Sequence, residues 1–123
     1  MITLLLISVA GGLGAVARFA LDDVITAHTS MRYPLGTTVI NVTGSLLLGL
    51  VTGLALGLVL PERWQLVLGT GFLGGYTTFS TASFETVRLL QERRWLAALT
   101  NGMGMLVVSV AVAAAGLWLG LGI

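Results

Sequence analysis

The stretch Gly74-Gly75-Tyr76-Thr77-Thr78-Phe79-Ser80-Thr81, "GGYTTFST", decides how the chain is read. It puts two glycines and four hydroxyl side chains inside a segment otherwise apolar enough to cross a bilayer. Hydrocarbon offers such groups no water. Glycine raises the entropy cost of ordering a helix. Threonine and serine hydroxyls can hydrogen-bond back to their own backbone and stabilise a break. The stretch therefore predicts an interrupted membrane helix. Such breaks are tolerated at membrane depth only where protein or a water-filled cavity surrounds them. Freed carbonyls can then coordinate a cation, and freed amides and hydroxyls can hold an anion.

The composition around this stretch requires a membrane. The chain has 123 residues, 56% hydrophobic and only 9% charged, and its mean hydropathy is +1.00. A soluble domain of this size needs far more polar surface. Cysteine is absent, which excludes a disulfide framework and a thiolate metal site. A net charge of +1 and no lysine argue against a nucleic-acid binder. Met1 to Ala10 has no basic region and runs into the first apolar stretch, so it reads as the first membrane helix rather than a cleaved signal.

At about 20 residues per crossing, four spans fit: roughly Ile2–Leu21, Gly36–Leu60, Trp64–Phe84 and Trp95–Gly120. Asp22-Asp23 close the first and Pro61-Glu62-Arg63 the second. Trp64 and Trp95 open their spans and Trp118 lies near the end of the last, where amphipathic rings favour the interface. The whole chain reads as one all-α transmembrane domain, residues 1–123, with the third helix broken mid-span. Asp22, Asp23, His28 and Arg32 fall in the first loop region, and Glu85, Arg88, Glu92, Arg93 and Arg94 in the third. The arginines favour that side, which the positive-inside rule makes cytoplasmic, with both termini outside.

Ser45, Gly49, Gly53 and Gly57 recur at every fourth position. Gly11 and Ala15 repeat the spacing in the first span, and Gly116 and Gly120 in the last. Small residues let helix backbones approach closely in lipid. They imply tight assembly, and an oligomer is expected. Asn41, inside the second span, reads either as interhelical glue or as a donor on a polar path. Arg18 reads either as a snorkelling side chain or as a fixed positive charge that draws an anion to a vestibule. His28 reads as solvated and Glu85 as interfacial.

With these residues in view, the chain closely resembles the Fluc (CrcB) fluoride channel family. The blocks that carry the resemblance are "GGLGAVAR" at Gly11–Arg18, "PLGTTVINVTGSLLLG" at Pro34–Gly49 and "GFLGGYTTFSTASFE" at Gly71–Glu85. The resemblance implies an antiparallel, dual-topology dimer in the cell (inner) membrane. Such a dimer carries fluoride passively out of the cytoplasm through two pores at the subunit interface. It also implies a structural sodium ion on the dimer axis, held by the backbone carbonyls of Gly74 and Thr77 from each subunit. Asn41 would project into the pore, Phe79 would present a ring edge to the anion, Ser80 and Thr81 would form a hydroxyl track, and Arg18 would stand in the vestibule.

The physics of such a pore fits these side chains. A small, strongly hydrated anion needs hydrogen-bond donors in place of water. An aromatic edge carries the positive end of the ring quadrupole. A buried cation offsets negative potential and pins two broken helices together. Two departures stand out. Ala82 occupies the place of the family's second pore phenylalanine, and Phe84 is spaced onto another face. In the fourth span Ser109 is the best pore-facing serine, with Asn101 or Met105 at the place of a tyrosine. A heterodimer of this chain with a homologous partner would account for both, and it is carried forward beside the homodimer. A small multidrug-type transporter needs a membrane carboxylate, and Asp22, Asp23, Glu62, Glu85 and Glu92 all fall at or beyond span ends. A docking subunit without transport would explain the glycine stripes but not Asn41 with the Thr77–Thr81 cluster. No catalytic set is present, so an enzyme is not expected.

Overall fold

The computed structural model describes residues 1–29 and 33–123. Arg32, counted above in the first loop, lies outside the described residues. The described chain is all-helical. Helix α1 spans Ile2–Ala27, α2 spans Leu35–Leu56, α3 spans 62–76, α4 spans Ser80–Gln91 and α5 spans Trp95–Gly122. Three of these, α1, α2 and α5, are long and apolar enough to cross a membrane. Helices α3 and α4 follow one another between α2 and α5, separated by residues 77–79.

Two boundaries differ from the sequence expectation. The pair Asp22-Asp23 does not close α1, which continues to Ala27. Aspartate is a poor helix former but not a breaker, and the next proline is Pro34. The second span stops at Leu56 rather than Leu60 because Leu58 turns left-handed, with φ 64°. The Val59 N–H then bonds back to the Leu54 carbonyl at 3.0 Å, a Schellman-type closure.

Small residues set the packing. A Cβ at Gly14 would overlap the Phe72 carbonyl, and one at Gly75 would overlap that of Gly11, so α1 and α3 touch backbone to backbone. Gly49 meets the Ala113 carbonyl and Gly116 that of Leu46, while Gly53 and Gly120 face each other, so α2 and α5 do the same. The stripe is thus largely consumed within one chain. Its ends do otherwise: a Cβ at Gly57 would find no tight contact, and Ser45 turns to a cavity. Ile40, Leu73 and Tyr76 form the buried cluster, with Ala17, Leu21, Val51 and Phe72 packed on it.

Two glycine-containing segments, Leu66–Leu73 and Thr100–Gly104, are π-helical. Each wide turn shifts the phase of the side chains that follow it, so a strict 3.6-residue period misplaces them. Such segments often accompany functional sites; the second supplies Asn101 and Gly102 to the cavity described next.

Candidate functional site at the helix break

Helix α3 ends at Tyr76, and Thr77 is extended, with φ −80° and ψ 160°. Helix α4 begins at Ser80. The expected interruption is therefore present, and its freed Thr78 N–H and carbonyl and Thr81 N–H have identifiable partners. The Asn41 side chain takes both groups of Thr78. Its Nδ2 donates to the Thr78 carbonyl at 2.8 Å, and its Oδ1 accepts the Thr78 N–H at 2.9 Å. The Thr78 hydroxyl accepts the Thr81 N–H at 3.2 Å and donates to the Thr81 hydroxyl at 3.2 Å. From the position before the N-cap residue Phe79, it satisfies a donor that the start of α4 leaves orphaned.

A cavity of about 550 Å³ opens beside the break, between α2, α4 and α5. Asn41, Phe79 and Ser109 line it, as do Ala82, Asn101 and Thr86. Asn41 Nδ2 also lies 3.2 Å from Met105 Sδ, a weak acceptor. Asn101 is only 1% exposed. Its Nδ2 donates to the Thr86 hydroxyl at 2.8 Å and the Ala82 carbonyl at 3.3 Å, so it ties α5 to α4. Its Oδ1 is buried without a partner, and so is the Ser109 hydroxyl. Water or a passing ligand must satisfy these atoms.

A second, polar cavity of about 370 Å³ lies toward the other end of α4, lined by Asp22, Glu85, Arg88 and Glu92. Arg88 Nε pairs with Glu92 at 3.4 Å. Glu85 is half-buried, receives a hydrogen bond from the Thr37 side chain and keeps one oxygen unpartnered. It was expected to follow the third span. It lies within α4 instead, because that helix runs on to Gln91.

The predicted site residues divide. Asn41, Phe79, Ser109 and Thr77 come together on the first cavity. Ser80 and Thr81 are exposed and do not line it, and half-buried Arg18 lines neither cavity. Gly74 is exposed on α3. Phe79 is 86% exposed, so within one chain the ring has nothing to pack on. Sequence reasoning passed over Thr37, Thr78 as partner of the Thr81 N–H, and Thr86. Thr37 carried a signal, since it stands four residues before Asn41 on the same face of α2.

Residues 5–121 match the model of the CrcB-like protein, Camphor Resistance (CrcB) family. The chain is 58% identical over 119 residues to "Fluoride-specific ion channel FluC 1" of Leifsonia xyli, covering 97% of this chain and 87% of that one. It is 51% identical to "Fluoride-specific ion channel FluC 2" of Cutibacterium acnes, covering 96% and 97%. It is 42% identical to "Fluoride-specific ion channel FluC 2" of Mycobacterium tuberculosis, covering 89% and 83%. The chain is therefore a multi-pass membrane protein of the CrcB family, a family of ion channels and not of enzymes.

Proposed function

We propose that this chain forms a fluoride-selective channel that lets the ion leave the cytoplasm passively and so lowers its toxicity. The observation that carries the reading is the break itself. Unwound backbone, an asparagine amide and unpartnered polar side chains gather on one cavity in an otherwise apolar chain. The close identity to proteins named fluoride-specific channels supplies the ion.

Each part has a physical role. The start of α4 points a positive helix end into the membrane interior, where it attracts an anion. The Ser109 hydroxyl and the Asn41 N–H that now faces Met105 are donors able to replace water around fluoride. The Phe79 ring edge adds positive potential. Successive weak contacts let the ion leave as well as enter. Arg18 would enrich anions at a mouth, and Ser80 and Thr81 would continue the path on a side covered by a second chain.

Phe79, at 86% exposed, and the open side of the cavity are incomplete in a single chain. An antiparallel dimer would cover them and generate two pores. Sodium would supply a positive charge on its axis. The residues present suit that ion: in a helix the carbonyls of Gly74 and Thr77 would accept the N–H of Thr78 and Thr81, and both donors are engaged elsewhere. Unwound carbonyls are ligands for such a cation.

Fluoride efflux from liposomes containing only this purified chain is the test. Selective fluoride efflux supports a homodimeric channel. Efflux only after a homologous chain is added would assign the protein to a heterodimer, the alternative suggested in the sequence by the one-sided arginines and Ala82. No fluoride efflux in either case would overturn the reading. Phe79→Ile should slow efflux while leaving stability within about 0.5 kcal/mol, because the ring is exposed in the single chain.

A further inference from the structure

We infer that Thr78 and Asn41 create the cation site, by holding two backbone donors away from the carbonyls of Gly74 and Thr77. The inference rests on the channel reading and deepens it. In an unbroken helix the N–H of residue i bonds the carbonyl of residue i−4. Thr78 N–H would then close on Gly74, and Thr81 N–H on Thr77. Asn41 Oδ1 takes the first donor at 2.9 Å, and the Thr78 hydroxyl takes the second at 3.2 Å. The same Asn41 amide holds the Thr78 carbonyl at 2.8 Å, so the segment cannot rotate back into helical register without breaking a two-point clamp. Thr77, at ψ 160°, turns its own carbonyl off the helix line.

The donor set is compatible with the sodium ion that the family resemblance implies. Among the described residues no group of three or more histidine, cysteine or acidic side chains could hold a metal ion. A site of neutral carbonyl dipoles leaves a divalent ion poorly compensated and suits a monovalent cation of sodium's size. Gly74 is exposed on α3, open to the outside of the single chain. Asn41 is then a positioning residue for the cation, acting through Thr78, whatever it does for the anion.

The experiment is thermal unfolding of the purified full chain in detergent, titrated with sodium chloride against N-methyl-D-glucamine chloride at constant ionic strength. Wild type should gain Tm with sodium, as a ligand of the folded state requires. Thr78→Val keeps the side chain's shape and removes the hydroxyl. It should move the sodium response to roughly tenfold higher concentration or abolish it, and Thr78→Ser should restore it. Asn41→Leu releases the other donor and should cause the same loss, which keeps the test decisive if the valine variant does not fold. A folded Thr78→Val or Asn41→Leu chain with wild-type sodium dependence overturns the inference. So does a wild-type chain that passes fluoride but shows no sodium response. A wild-type chain that responds to sodium yet passes no fluoride overturns the channel reading alone.

Discussion

Helix α3 sits on α1 backbone to backbone, with Gly14 against the Phe72 carbonyl and Gly75 against that of Gly11. Helix α4, which follows α3 across the break, contains no glycine and has no such seat. Side-chain amides hold it instead: Asn41 grips Thr78 ahead of its first turn, and Asn101 grips Ala82 and Thr86. In lipid, close van der Waals contact and hydrogen bonds are the available sources of helix association. The chain uses one for each half. The dry contact makes α3 a scaffold, and the hydrogen-bonded contact leaves polar groups and a cavity beside α4.

Gly75→Leu attacks the scaffold and carries the largest expected effect. Its side chain would drive into the Gly11 backbone, and overpacking costs about 3 kcal/mol or more. The folded peak in size-exclusion chromatography should be lost. Gly74→Ala, one residue away, should fold normally because its Cβ finds open space. Equal behaviour of the two variants would break the comparison.

Asn41→Asp attacks the other half. It removes the donor to the Thr78 carbonyl and adds an acceptor-only charge. If Asn41 faces the anion, the acceptor-only charge should slow liposome fluoride efflux roughly ten- to a hundredfold. Unchanged efflux would remove Asn41 from both pore and clamp. Asn101→Leu should cost about 1 kcal/mol and speed amide hydrogen exchange in α4 while leaving α3 protected. Equal loosening of both halves would show that they are not separately held. The smallest effect is expected where α4 ends. Arg93 is left-handed, with φ 57°, and Arg94 N–H closes on the Leu89 carbonyl at 3.0 Å. Arg93→Gly should raise stability by about 1 kcal/mol, seen as a higher Tm.

Much of the fold was legible because its signals are local. Apolar run lengths mark the long helices, Pro34 and Pro61 mark the connections, and Gly74-Gly75 with the following hydroxyls mark the break. Ends were less legible, since Asp22-Asp23 stop nothing and Leu58 rather than Gly57 takes the left-handed turn. In the site, Asn41 and Phe79 could be singled out by residue type and resemblance. The bond from Asn41 to Thr78 spans 37 residues of sequence, and no local rule reaches that far. Asn101 reaches Thr86 across 15 residues of sequence from within a π-helical segment, so that contact was hidden as well. Glu85 and Thr37 looked unremarkable until α4 turned one toward the other.

By itself, then, the order of residues settled that this chain lives in a membrane, that the helix must break after Gly74-Gly75, and which glycines could bring helices close. Those outcomes depend on propensity, hydropathy and spacing within a few turns. Tertiary structure alone decided which donors the interrupted segment would lose and to whom, because hydrogen-bond partners in a low-dielectric interior are chosen by whatever helix happens to lie alongside.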